Sequence, residues 1–86
     1  MSAVNVLYFA RLREAFGIGA EQFVLPAGCD TAGGLIRALQ ARGGVWAQEL
    51  AEGKPFRLAV NQEMAKPDAQ LRDGDEVAIF PPVTGG

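Results

Sequence analysis

The sequence closes on Phe80, Pro81, Pro82, Val83, Thr84, Gly85 and Gly86, and the chemistry that this order of residue types offers is that of a terminal carboxylate. Pro81 and Pro82 have no backbone N–H and a restricted φ, so they end sheet pairing and project the next residues as an extended arm. The six residues after Phe80 reach about 20 Å when fully extended. Gly85 and Gly86 lack Cβ atoms, so the arm can enter a channel too narrow for any side chain and carry its carboxylate deep into a partner's site. With an ordinary pKa near ~3.5, that carboxylate is an anion at neutral pH and a poor acyl electrophile. Adenylation converts it into a mixed anhydride with a good leaving group, and attack by sulfur then gives a thiocarboxylate. The tail therefore reads as a carrier arm with its reactive atom on Gly86. A frayed, functionless terminus is the bland alternative, and a Pro-Pro spacer next to an apolar anchor argues against it.

Other candidates for chemistry are weaker. The chain has no histidine, which removes the Ser-His and Cys-His pairs and the commonest metal ligand. Cys29 is the single cysteine, so it forms no internal disulfide, in keeping with a reducing compartment. It lies just before an expected helix start, where the helix dipole favours a thiolate. With no basic partner beside it in the sequence, the reading as a small, partly buried apolar residue is preferred. The acidic run Asp73-Gly74-Asp75-Glu76 suggests a cation, but its spacing does not spread oxygen ligands as a calcium loop does, and Asp-Gly is turn chemistry. No metal-ligating residue is expected.

Composition narrows the class. With 86 residues, 49% hydrophobic and 21% charged, the chain has the size and apolar content of one small folded domain. A net charge of −2 gives no phosphate-seeking field, so a protein partner is expected rather than nucleic acid. The apolar runs are too short to span a bilayer and the N-terminus lacks the pattern of a signal peptide. A cytoplasmic protein without a membrane partner is expected.

The elements that must position the tail can be read from periodicity. Val4 to Ala10 reads as a strand, apolar on both alternating faces as if covered on each side or nearly so. Leu12 and Phe16, four apart before Gly17, read as a brief helical turn, and Glu21 to Pro26 as a second strand forming a hairpin with the first. Ala32, Leu35, Ile36 and Leu39 form one apolar helix face, capped by Asp30 or Thr31 and stopped by Gly43. Gly33 and Gly34 weaken its first turn by up to ~1 kcal/mol each; they let the helix approach the sheet, or they delay its start. Trp46 and Leu50 suggest a second short helix. Arg57 to Asn61 and Asp75 to Phe80 read as strands, with a small extra strand near Glu63 to Ala65. The result is an α+β two-layer domain over residues 1–80, a mixed sheet of about five strands with one main helix across one face, followed by the tail at 81–86. The first and last strands, the most apolar, should be neighbours at the centre.

Strand alternation then sorts the faces. Val77, Ile79, Leu58 and Val60 belong under the helix, and Glu76, Ala78, Phe80, Arg57, Ala59 and Asn61 point outward. A large aromatic beside small alanines on an outer face reads as a docking anchor. Met64 can extend that patch, although the pattern does not fix its direction.

The stretches VNVLYFARLREAFG, AVNQEMA and LRDGDEVAIFPPVTGG together resemble the sulfur-carrying small subunits of molybdopterin synthase within the MoaD/ThiS family of ubiquitin-like β-grasp proteins. The Phe-Pro-Pro ahead of Gly-Gly separates this likeness from thiamin-type sulfur carriers. The resemblance implies that a MoeB-like adenylating enzyme uses ATP to form an acyl-adenylate on Gly86, and that a sulfur donor converts it to a thiocarboxylate. It implies that Pro81, Pro82, Val83, Thr84 and Gly85 insert into a large MoaE-like catalytic subunit. That subunit's residues catalyse transfer of the sulfur to a cyclic pyranopterin, making the molybdopterin dithiolene. By position, Phe80 and Met64 match the family's apolar interface and Arg13 a basic contact with the activating enzyme. No permanently bound cofactor is implied. A thiamin-type carrier and a protein modifier joined to lysines through Gly86 are the alternatives.

Overall fold

A computed structural model describes residues 2–51 and 53–82. The chain runs β1 (Ala3–Tyr8), α1 (Ala10–Phe16), β2 (Ala20–Val24), α2 (Ala32–Gln40), α3 (Gly44–Glu49), β3 (Arg57–Val60), β4 (Glu63–Ala65) and β5 (Glu76–Phe80). The strands form one mixed five-stranded sheet in the order β2-β1-β5-β3-β4. As expected, the first and last strands are neighbours in its interior, paired in parallel with Val6 opposite Val77 and Tyr8 opposite Ile79. The β1–β2, β3–β4 and β3–β5 pairs are antiparallel. This is the ubiquitin-like β-grasp arrangement.

The core lies between one face of the sheet and the helices. Val4, Val6, Tyr8, Leu58, Val77 and Ile79 meet Leu12 of α1 and Ala32, Leu35, Ile36 and Leu39 of α2, all buried. α2 starts where its cap predicts: the Gly34 N–H donates to Thr31 Oγ1 at 3.1 Å, satisfying one of the helix's free donors. Gly17 ends α1 in the left-handed region at φ 75° and donates its N–H to the Arg13 carbonyl, a closure that costs glycine little.

Three expectations are corrected. Gly43 does not stop α2; Ala41 caps it, and Gly43, at φ 76°, begins α3 instead. The Gly33-Gly34 pair neither delays α2 nor serves contact with the sheet. A Cβ on Gly33 would lie 3.1 Å from the Pro67 carbonyl oxygen, and one on Gly34 2.8 Å from Cys29 Sγ. The glycines admit the segment leaving β4 and the loop before α2. β1, finally, has helices over one face only: Leu7 is part-exposed and Phe9 is 45% exposed on the other.

Two polar devices close the fold. In the β3–β4 turn Asn61 and Gln62 both have positive φ, 51° and 70°, the signature of a two-residue hairpin turn. Asn61 then bridges to the start of β5, donating to Asp75 Oδ1 and accepting from the Glu76 N–H, each at 3.0 Å. The Asp73-Gly74-Asp75 stretch is a turn, as its composition indicates. Gly74 has φ 88°, the Ala3 N–H donates to Asp73 Oδ1, and the Arg72 N–H to Asp75 Oδ2. The bonds from Asn61 and from the Arg72 N–H hold the Asp75 carboxyl below its usual range.

At the β2 end, Phe16 stacks on Trp46 at 3.8 Å and Tyr8 meets both rings edge-on. The Arg42 guanidinium lies 4.4 Å over Trp46 and binds both oxygens of Glu21 at 2.8 and 2.9 Å. Glu21 Oε2 also accepts from the Tyr8 hydroxyl at 2.6 Å. The turn after α2 is thereby tied to β2.

Ile79, fully buried in the central strand, should cost about 2–5 kcal/mol of unfolding free energy when cut to alanine; urea denaturation of Ile79→Ala measures this. A second expectation concerns pH. Arg42 and the Tyr8 hydroxyl hold the Glu21 carboxyl below its usual range, so the stability this contributes is complete above the unfolded value near ~4.3 and is lost as pH falls through the lower folded value. The melting-temperature gap between the native protein and Glu21→Gln should therefore be open at pH 7 and narrow below about pH 4. A gap that stays constant on acidification would remove Glu21 from the account.

Candidate functional site

The site is built around the end of β5. Because Val77 and Ile79 are driven into the core, Phe80 projects from the sheet face that the helices leave open. It is part-buried and is not among the side chains packed on the hydrophobic core. Arg57 is its partner on β3. Pro81 and Pro82 come directly after it, outside any strand, and the missing N–H groups forbid further pairing.

On the same open face the ladders place Met64, Ala59, Ala78, Leu7 and Ala20 side by side, one from each strand. Met64, whose direction the sequence left open, is 66% exposed and stands at one end of this apolar row. Ala59 and Ala78, expected to point outward, do so but are only 8% and 9% exposed, because their short side chains lie at the floor between Met64 and Leu7. One step along the parallel β1–β5 register from the Tyr8–Ile79 pair, Phe9 comes beside Phe80. The Phe9 N–H accordingly donates to the Ile79 carbonyl. The result is a shallow apolar strip with raised side chains at its rim, adjoining the point where the tail leaves the sheet. A contiguous exposed apolar surface of this kind fits a protein partner.

Sequence reasoning missed Phe9 and Leu7. The signal was present in the alternation that sends Val4, Val6 and Tyr8 inward, which leaves their neighbours on the opposite face. It was obscured because a strand apolar on both faces also fits double coverage.

Arg13 is not part of this strip. α1 carries it, exposed, towards the α1–β2 connection, with its guanidinium so near Gly19 that a Cβ there would meet Arg13 Nε at 3.0 Å. The structure thus brings Phe80 and Met64 onto one face and holds Arg13 apart from it, in a hollow it shares with Glu14, Ile18 and Gly19. Cys29 is part-buried against the core and Gly34, the setting expected of a small apolar residue. Val83, Thr84, Gly85 and Gly86, which carry the expected tail chemistry, lie outside the described residues. Among the described residues no helix is long and apolar enough to cross a membrane.

Comparison with known proteins agrees with this geometry. A protein from Escherichia coli strain K12 named molybdopterin synthase sulfur carrier subunit is 43% identical over 83 residues, covering 96% of this chain and 99% of the relative. Among solved structures, the putative molybdopterin converting factor subunit 1 of Pyrococcus furiosus superposes with a TM-score of 0.79 at 32% identity, over 96% of this chain and 100% of that one. A second similar chain comes from the complex of subunits 1 and 2 of the Helicobacter pylori molybdopterin-converting factor, with a TM-score of 0.66 at 25% identity, over 98% and 99% of the two chains. The model of the ThiS family matches residues 6–86. With its strand order, its open apolar face and a match that runs through the Gly-Gly tail, the chain belongs to the ThiS family of ubiquitin-like β-grasp proteins.

Proposed function

We propose that this chain is the sulfur-carrier subunit of a molybdopterin synthase, acting in the cytoplasm. The observation that carries the reading is the nearly end-to-end match to the Escherichia coli relative of that name. It is supported by the open strip around Phe80, which offers a docking face beside the root of the tail. The Helicobacter pylori structure, a complex of two subunits, supports a large catalytic subunit as the occupant of that face.

In this reading the domain docks and the tail reacts. The strip formed by Phe80, Phe9, Leu7 and Met64 binds the large subunit, and Pro81 and Pro82 direct Val83, Thr84 and Gly85 into its site. An adenylating enzyme, contacted through Arg13, first uses ATP. The Gly86 carboxylate attacks the α-phosphorus and pyrophosphate leaves. The terminal sulfur of a persulfide on a donor protein then attacks the acyl carbon and displaces AMP, giving an acyl disulfide. A second thiol attacks the donor's sulfur in that S–S bond, forming a disulfide with the donor and releasing the thiocarboxylate. Inside the large subunit that sulfur passes to a cyclic pyranopterin. The carrier supplies the reactive atom and its delivery; the catalytic side chains belong to the partner.

Mass spectrometry after incubation with ATP, the activating enzyme and a sulfur donor tests the reading. Exchange of one oxygen for sulfur supports it, whereas a covalent adduct on lysines of another protein would identify a modifier instead. Phe80→Ala should weaken binding to the large subunit by about 2 kcal/mol or more while leaving the melting temperature nearly unchanged. A collapsed melting temperature with intact affinity would make Phe80 a core residue. For the tail, protein ending at Gly86 is compared with protein carrying one added alanine. The extra residue introduces a Cβ and moves the reactive carbon by about 3.5 Å, and a displacement of even ~1 Å can cost about a hundredfold in rate. The lengthened protein should bind the large subunit yet fail to be adenylated. Normal product formation with the alanine still attached would exclude Gly86 as the sulfur-bearing position.

A further inference from the structure

The two ends of the sheet are finished differently. β4 is three residues long and followed directly by Lys66, which are ordinary ways of blunting an edge; a proline stands two residues beyond each edge strand, Pro67 after β4 and Pro26 after β2. β2, at the other end, is five residues, Ala20-Glu21-Gln22-Phe23-Val24, with no lysine, proline or glycine. Its Tyr8-to-Gly19 and Leu25-to-Ser2 backbone bonds fix which groups face β1: those of residues 19, 21, 23 and 25. The N–H and C=O groups of Ala20, Gln22 and Val24 consequently point away from the sheet. β2 has no strand on that side among the described residues, and Ala20, Gln22 and Val24 are all exposed, Val24 at 54%. The strand's one charge, Glu21, is turned to the helix side and held there by Arg42, so it does not guard the edge.

We propose that this β2 edge pairs with the β2 edge of a second copy of the chain, antiparallel, about a two-fold axis at Gln22. In that register Gln22 faces its own counterpart and Ala20 faces Val24, so every outward N–H and C=O of the three residues finds a partner. On the open face, Ala20 already continues the apolar row through Leu7, and Val24 of the second copy extends it. On the helix face, Glu21 of one copy stands opposite Phe23 of the other, under that copy's Arg42, which lies 5.2 Å over the Phe23 ring. Cation and carboxylate therefore meet across the seam, whereas like charges would oppose it. A seam of this length falls below the ~1,200 Å² of stable interfaces, so the dimer is weak and exchanging. The strand order places β2 at one end of the sheet and the tail-bearing β5 inside it, so dimerisation leaves the tail's exit open.

Sedimentation equilibrium of the full chain over roughly 0.01–1 mM tests this. The native protein should rise from the monomer mass towards twice that value, and solvent exchange of the Ala20, Gln22 and Val24 amides should slow as concentration increases. Gln22→Pro removes the central outward N–H at a position where an edge strand tolerates proline. Gln22→Lys sets two cations face to face from an exposed site and protects the test if the proline variant is poorly folded. Both should remain monomeric at the highest concentration. A native protein that stays monomeric throughout overturns the proposal, as does a dimer that survives Gln22→Lys unchanged.

Discussion

The parallel pairing of β1 with β5 is the constraint on which the rest depends. It joins the first strand of the chain to the last, so every intervening element must be accommodated within the closure it makes. Parallel partners cannot be joined by a tight turn, and here the connection contains α2, α3 and the β3–β4 hairpin. The pairing also decides where the chain leaves the sheet: β5 ends in its interior, next to β1 and β3. A tail that starts there is flanked by the apolar strip, and an edge strand could not give it that setting.

The same closure divides the sheet into two faces with different duties. The helix face buries the large apolar side chains of the core, among them Val4, Val6, Tyr8, Leu35, Leu39, Val77 and Ile79, and burial at roughly 25 cal/mol per Å² supplies the stability of the domain. The open face keeps a smaller apolar row built over two alanines. Changing the open face therefore tests binding, and changing the covered face tests folding. The division matters for a carrier, whose docking surface must remain available through several encounters while the fold stays intact.

Away from the tail, the Tyr8–Glu21–Arg42 contacts and the Phe16–Trp46 stack use polar and aromatic groups to join three elements. Burial first, and then the bond to Glu21, push the Tyr8 hydroxyl well above the ordinary phenol range. Its contribution is accordingly complete below the unfolded value near ~10 and is lost only as pH rises past it. Because Glu21 is satisfied on the helix side, β2 is left without an exposed charge. One local interaction thus governs both how α2 turns into α3 and what the sheet edge presents.

Sequence alone determined the elements whose signal is local. The Ala32-Leu35-Ile36-Leu39 stripe, a cap at Asp30 or Thr31, the turn at Gly74 and the brief strand Glu63–Ala65 all derive from spacing and residue type, because helix and strand periods and turn dihedrals are properties of neighbouring residues. The placing of Phe80 opposite Ile79 was equally legible, since alternation needs only one buried neighbour to set the phase. Tertiary structure decided the rest. Whether the second apolar face of β1 was covered depended on where distant helices packed, so Leu7 and Phe9 could not be assigned from β1 alone. Gly33 and Gly34 looked like a weakness of α2 until Pro67 and Cys29 came against them. The direction of Met64 waited on its pairing with Ala59. Each of these turns on contacts between residues far apart in the chain, and local periodicity carries no information about them.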